Sequence, residues 1–129
     1  SWKLGASHSA KDLKAAFDGD MGTRYSTGKS MAPGMWVQVG FPVKKRLSGV
    51  ILDASGSNGD YPRGYSVQFS DDGNTWGKPV AEGKGRKALL EISFPPIEAK
   101  FLRITQTGND RLYWSIHEIR LLGNQLRKK

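Results

Sequence analysis

The chain of 129 residues contains no cysteine. That excludes a disulfide framework, a thiolate metal site and a cysteine nucleophile. It leaves the compartment open, because cysteine-free chains occur in all of them. No apolar run approaches the roughly 18 residues a helix needs to cross a bilayer. Neither a signal-peptide pattern nor an initiator methionine stands at residue 1. The chain opens Ser1-Trp2-Lys3, so we expect an excised module of a larger protein. No convincing long helical periodicity is present either. Acidic residues are the minority, 12 Asp and Glu against 20 Lys and Arg, giving a net charge of +8. A basic balance favours anionic partners, yet it argues for solubility and non-specific association as readily as for a site. Part of it is peripheral, since Arg127-Lys128-Lys129 reads as a tail or linker. Nucleic acid is disfavoured, because no stripe of aromatics interleaved with lysine occurs.

Catalytic constellations are missing as well. His8 and His117 lie far apart, and no Ser-His-Asp order, phosphate loop or zinc spacing is found. Asp53 and Asp60 are a carboxylate pair of the kind that cuts glycosides, but only composition supports that use. The expectation is a binding module and not an enzyme.

What is present is a turn-rich, aromatic-bearing chain with 16 Gly, four Trp, four Tyr and five Phe. Val37, Val39 and Phe41 alternate, as do Tyr65, Val67 and Phe69, then Ala88, Leu90, Ile92 and Phe94, then Leu102 and Ile104. This is the two-residue period of strands with one buried face. Leu47 to Asp53 reads as another strand, with Pro42-Val43-Lys44-Lys45-Arg46 as a solvated basic connector before it. Pro95-Pro96 is expected to end the strand that Phe94 closes. Asp72-Gly73 marks a hairpin, and Trp36 and Trp76 are expected to be core or hairpin packing. Ser9, with Asp12 three residues on, suggests a cap on a short helical turn reaching Phe17. Strands at short spacing with turns between them predict an all-β sandwich or barrel. We expect one domain over 1–124, with 125–129 as a basic tail or linker.

Two stretches are dense in chemistry. Asp18-Gly19-Asp20-Met21-Gly22-Thr23 offers two carboxylates and a hydroxyl on a backbone that can turn sharply. Such a loop suits calcium, which takes six to eight oxygens, and it also suits an ordinary Asp-Gly turn. Tyr113-Trp114-Ser115-Ile116-His117-Glu118-Ile119-Arg120-Leu121 reads as a final strand, with Ile119 and Leu121 on one face. We expect the two stretches to meet in space.

Asp18-Gly19-Asp20 with Thr23-Arg24-Tyr25, then Ser70 to Trp76, then Phe101-Leu102-Arg103-Ile104, then Trp114-Ser115-Ile116-His117-Glu118-Ile119, in that order, resemble the discoidin or coagulation factor 5/8 type C family. Within it the chain looks most like the bacterial carbohydrate-binding modules of family 32. The resemblance covers nearly the whole chain. It implies an eight-stranded antiparallel jelly-roll β-sandwich, without catalysis of its own, often appended to a secreted polysaccharide-degrading enzyme. It also implies a structural calcium ion that ties the first loop to the last strand. The ligands would be the carbonyls of Ala15 and Asp20, the Asp18 carboxylate, the Thr23 hydroxyl and carbonyl, the His117 carbonyl and the Glu118 carboxylate. The His117 imidazole would not be a ligand.

In this family sugar binds on loops at one end of the sandwich. By that resemblance the candidates here are Asn58, Asp60, Tyr61 and Arg63 on one loop, and Asn109, Asp110, Arg111, Tyr113 and Trp114 on another. Aromatic rings take the C–H faces of a sugar, and planar polar groups take its hydroxyls in pairs. Trp114 reads equally as core, Arg63 and Asp60 as an ion pair within their loop, His8 and Tyr25 as borders of the same end, and Tyr25 equally as cover for the core. The histidine, arginine and asparagine that galactose binders use are not found at matching spacing. The expected partner is an oligo- or polysaccharide, with Arg63, Arg111 and the net charge tilting it towards an anionic glycan. The second reading is a discoidin-type adhesion module for phospholipid or sulfated glycan. For lipid, Met31 and Met35 flanking Pro33-Gly34 are the only hint of an apolar loop tip. The implied location is secreted or cell-surface, and the implied state a monomeric module within a longer chain.

Overall fold

The computed structural model describes residues 1–123, and the basic tail expected at 125–129 lies outside them. The alternating segments form strands: β1 Lys3–Ala6, β2 Tyr25–Ser30, β3 Met35–Asp53, β4 Tyr65–Ser70, β5 Ala81–Gly83, β6 Leu89–Gln106, β7 Tyr113–Ile116 and β8 Glu118–Gly123. All their pairings are antiparallel. One sheet runs in the order β1-β3-β6-β4-β5 with β8 also on β3, and β2 pairs with β7 alone. A 3-10 helix, Ala10–Phe17, crosses between β1 and β2. Among the described residues no helix is long and apolar enough to cross a membrane.

The long β3–β6 ladder builds the body. Its upper part pairs Met35 to Gly40 with Gln106 to Phe101, and its lower part pairs Lys45 to Asp53 with Ala99 to Leu89. Val37, Val39 and Phe41 from the upper part share one core with Leu47, Val50 and Leu52 from the lower part. The ladder therefore folds over itself into two layers. It bends at two irregularities. Between Gly40 and Lys45, four β3 residues face Lys100 alone, and between Leu47 and Gly49, three β6 residues face Ser48. The second bulge holds Pro95 and Pro96, which have no N–H to give a ladder. The two prolines thus bend the strand and do not end it. Pro42 to Arg46 likewise continues β3 instead of leaving the sheet. There Lys44 pairs with Asp71 and Arg46 with Glu98.

Three further expectations are corrected. The final strand is broken at His117, with β7 on β2 and β8 on β3. Ser9 has a positive φ of 53° and makes no side-chain cap; its hydroxyl donates to the Thr27 carbonyl, so only its backbone starts the helix. Trp36 and Trp76 are not core. They stack on the two faces of the Arg103 guanidinium, 4.3 Å and 4.5 Å from it, on the side of the sheet opposite Val37 and Ile104. Burial lowers the Arg103 pKa, and Gln38 Oε1 accepts two of its N–H groups.

Trp114 is fully buried, with its ring edge-on to Tyr25 at 6.5 Å. It is a core residue and not a ligand platform. Its neighbours along β7, Ser115 and Ile116, are buried as well, and its Nε1 finds no acceptor among the described residues. Removing a ring of this size opens a cavity no neighbour can close. Trp114→Ala should therefore cost about 3–5 kcal/mol in urea unfolding, with m unchanged. A cost below about 1 kcal/mol would place the ring outside the core.

Candidate functional site

The two stretches of dense chemistry do meet. Thr23 Oγ1 lies 2.5 Å from Asp18 Oδ2, 3.0 Å from the Asp20 carbonyl and 3.4 Å from the Ala15 carbonyl. Glu118 reaches the same loop from β8, where its Oε1 accepts the Gly19 N–H at 3.1 Å. The Thr23 hydroxyl, then the Asp20 N–H, hold the Asp18 pKa down. Glu118 is pushed the other way, first by burial and then by the charges of Asp18 and Asp53, against the pull of the Gly19 N–H. Among the described residues no three His, Asp or Glu side chains gather at one point. A cation here would rely on carbonyl and hydroxyl oxygens beside its carboxylates. That donor set, all oxygen and with two carboxylates facing one loop, fits a hard cation such as calcium.

His117 is spent elsewhere. Its Nδ1 lies 2.7 Å from the Met21 carbonyl and its Nε2 2.9 Å from Ser57 Oγ, while its N–H donates to the Asp53 carbonyl. Arg24 also donates to Ser57 Oγ. The side chain of His117 therefore joins the loop after the 3-10 helix to the loop 54–64.

That second loop lies along β7. Asp60 Oδ2 accepts the Ser115 hydroxyl at 2.6 Å and the Asp60 carbonyl accepts the Ser115 N–H. Leu112 Cδ1 sits over Gly59, where a Cβ would fall 2.8 Å away. Arg63 stacks on Tyr61 at 4.0 Å, donates from Nη1 to the Tyr61 carbonyl and pairs through Nε with Asp110 Oδ2 at 3.0 Å. The expected Arg63–Asp60 pair is thus replaced by one that crosses between loops. Asp60 is spent on Ser115 and Asp53 on Ser55 and Arg120, so neither carboxylate of the considered pair is idle.

The loops 58–63 and 109–113 therefore come together as the resemblance implies. Asn58, Asn109 and Arg111 are exposed, and Tyr113 is 47% exposed at the start of β7. Tyr61 is half-buried beneath Arg63. Tyr25 does not border this end. It is buried, its hydroxyl donates to the His8 carbonyl, and it pairs with Ile116 at the opposite end of β2 from the Ser30–Tyr113 pair. Burial, then the nearby Asp12 charge, pushes the Tyr25 phenol up to about 12. Met31 and Met35 are buried too, which removes the apolar tip they suggested.

The residue that sequence reading missed is Gln106. It is fully buried. Its Oε1 accepts the N–H groups of Arg63, Gly64 and Gly108 at 3.2, 3.4 and 2.9 Å. Its Nε2 donates to the carbonyls of Ala32 and Gly108 at 3.2 and 2.9 Å. Three loops hang on one amide. The only signal was a polar residue at the end of an apolar alternation, which also describes an ordinary strand end.

These strands, the folded-over ladder and the gathered loops define a β-sandwich of the galactose-binding-domain-like fold. A family model for the F5/8 type C domain matches residues 3–119, and the chain belongs to that family. It is 33% identical to hemocytin of Bombyx mori over 79 residues, 54% of this chain but 2% of that protein, so it spans only a small part of its curated relative. Chitosan-binding module 1 of a Paenibacillus chitosanase/glucanase superposes with a TM-score of 0.79 at 23% identity, covering 94% of this chain and 93% of that one. A family 32 module from Clostridium perfringens, in complex with GalNAc-β-1,3-galactose, gives 0.79 at 18% identity over 95% of both chains. The family 32 module of AlyQ, in complex with 4,5-unsaturated mannuronic acid, gives 0.74 at 25% identity over 93% of both. These structural neighbours are carbohydrate-binding modules, and they bear out the fold.

Replacing Gln106 by methionine keeps most of the volume and strands three N–H and two carbonyl groups. Since each buried unpaired group costs about 1–3 kcal/mol, and some will reach water, Gln106→Met should cost about 2–4 kcal/mol in chemical denaturation. Hydrogen exchange should quicken first at Gly64 and Gly108. Unchanged exchange at those two amides would contradict the anchoring role.

Proposed function

We propose that this chain is a non-catalytic carbohydrate-binding module that holds a glycan on the loops 58–63 and 109–113. The observation that carries the reading is the exposed ring of Tyr113 beside a loop pair pinned by Arg63–Asp110 and Gln106. A rigid aromatic face takes the C–H surface of a sugar ring, and pre-positioned Asn58, Asn109 and Arg111 take hydroxyls at small entropic cost. Neighbours of the same fold that hold sugars support the class of ligand. The larger protein, in this reading, is a secreted or surface polysaccharide-degrading enzyme that the module brings to its substrate. A glycan array with the isolated chain tests the function. Tyr113→Ala should weaken the best hit by roughly 1–3 kcal/mol, by analogy with base stacking on aromatic platforms, and leave the melting temperature in place. An array without hits would defeat the proposal.

The same reading gives the loop 15–23 a structural calcium ion, held by Asp18, Thr23 and Glu118 with the carbonyls of Ala15, Asp20 and His117. The ion closes a long stretch of chain and binds the folded state alone. At a hundredfold excess over Kd it should stabilise by about 2.7 kcal/mol, a rise in Tm of roughly 10 °C for a domain of this size. Glu118→Ala should abolish the rise. A Tm indifferent to both calcium and chelator would remove the ion from the account.

One observation favours the adhesion reading, namely Leu112, 45% exposed next to Tyr113. An apolar loop tip beside cations suits an anionic lipid surface. Sedimentation with phosphatidylserine vesicles, lost in Leu112→Asp and absent with phosphatidylcholine, would select it.

A further inference from the structure

A third loop reaches the candidate glycan site, and its chemistry differs from that of the other two. The turn after β5 reads Lys84-Gly85-Arg86-Lys87. Gly85 is buried against the 58–63 loop, and its N–H donates to the Arg63 carbonyl at 3.3 Å. A Cβ at Gly85 would fall 1.9 Å from the Pro62 carbonyl oxygen and 3.4 Å from Tyr61 Cδ1. Only glycine permits that approach, so the two backbones lie in direct contact. At its far side the turn is tied again, where the Ala88 carbonyl accepts the Ala54 N–H. Lys84, Arg86 and Lys87 are all exposed, and among the described residues none of them pairs with a carboxylate.

The contacts give an order across this end of the sandwich. Leu112, the residue before Tyr113, sits on Gly59, the 59–63 segment follows, and Gly85 with its basic flanks packs on Pro62. Over the segments 54–64, 84–88 and 107–113 there are five cations, Arg63, Lys84, Arg86, Lys87 and Arg111, and two carboxylates, Asp60 and Asp110. Both carboxylates are spent, Asp60 on Ser115 and Asp110 on Arg63. The same pairing largely withdraws Arg63 from any ligand. Asp60 keeps its charge beneath Ser115, so these segments balance to a net +3, and most of the free positive charge sits on the Lys84–Lys87 turn.

We propose that this turn is the third wall of the glycan site and that the ligand is a polyanionic glycan, carboxylated or sulfated. In it one ring lies on Tyr113, and acidic groups further along the chain meet Arg86 and the two lysines. The inference rests on the carbohydrate-binding reading above and adds the ligand class and the residues that select it. Arginine takes a carboxylate or sulfate with a two-pronged fork, and lysine adds an adaptable point charge. A cationic glycan such as chitosan would meet like charge and is rejected.

The test is calorimetric titration of the whole chain with an oligomannuronate, chitohexaose, a neutral glucan oligomer and single-stranded DNA, at low and high salt. The uronate should bind, with affinity falling as salt rises. Lys84→Ala/Arg86→Ala/Lys87→Ala should weaken it about tenfold, since exposed ion pairs are individually modest, and should flatten its salt dependence. Any binding of the neutral oligomer should survive. These side chains are exposed, so the fold should tolerate their loss. Gly85→Val, which pushes the turn off Pro62, should weaken the uronate likewise. If the triple variant binds uronate as the parent does while Tyr113→Ala does not, the basic wall is refuted and the module stands. If neither change touches glycan binding, the carbohydrate site itself is refuted. Preference for chitohexaose, or DNA bound as tightly as uronate and lost in the same triple variant, would refute the inference and leave an undirected basic surface.

Discussion

The side-chain amide of Gln106 is the contact on which the gathered loops at one end of the molecule depend. A buried amide is costly unless each of its polar atoms is satisfied. Here the oxygen takes three backbone N–H groups and the nitrogen serves two backbone carbonyls. Those five groups belong to segments far apart in sequence, at Ala32, at Arg63 and Gly64, and at Gly108. None of these loops has secondary structure to hold it. The amide does for them what a ladder does for strands, and it does so at the end of the longest ladder, because Gln106 is the last residue of β6 and pairs with both Met35 and Tyr65. Side chains on these loops are therefore presented by a fixed frame, which is what weak, hydroxyl-rich ligands demand of a shallow site.

A second constraint links this frame to the oxygen-rich loop. The 54–64 segment runs the length of β7. Ser57 touches His117 and Arg24 at one end, Asp60 holds Ser115 in the middle, and Arg63 reaches Asp110 at the other. His117 carries the connection on to the Met21 carbonyl. The His117 imidazole, which a metal-minded reading would make a ligand, is thus a strut. Its two ring nitrogens separate the loop 18–23 from the loop 54–64 and bind both. The cation proposed for residues 15–23 would stiffen the base of the loop 54–64 by direct contact, and no longer pathway is needed.

The strands were legible because alternation is a direct consequence of one-sided burial, and Val37, Val39, Phe41, Leu102 and Ile104 are buried as their spacing requires. The meeting of Asp18 and Thr23 with Glu118 was legible only through family resemblance, since nothing local to either stretch points at the other. The tryptophan misreadings share one cause. Trp36, Trp76 and Trp114 are the same side chain, and period alone does not say which face of a strand is the core when both faces carry large rings. Trp114 went inward against Tyr25, while Trp36 and Trp76 went outward because Arg103 gave their faces a partner. Pro95 and Pro96 were read as a stop because proline breaks a ladder. The chain spends that break on a bulge at the corner of the sandwich. The roles of Gln106 and of the turn at Gly85 were invisible for a different reason, because their meaning lies wholly in long-range contacts.

Net charge shows the same limit. A balance of +8 invites an electrostatic reading of the whole surface. Yet many of the cations are structural. Arg103 is sandwiched between two indoles, Arg63 is shared by Tyr61 and Asp110, Arg120 is held by Asp53, and Lys45 lies 5.8 Å over both Trp2 and Phe41. Each of these satisfies the protein before any ligand arrives. In the proposed site, specificity would be carried by the cations that the fold leaves unmatched and gathers in one place. In this chain that condition is met at the turn which glycine forces against Pro62. The backbone contact, and not the composition, gives the charge a direction.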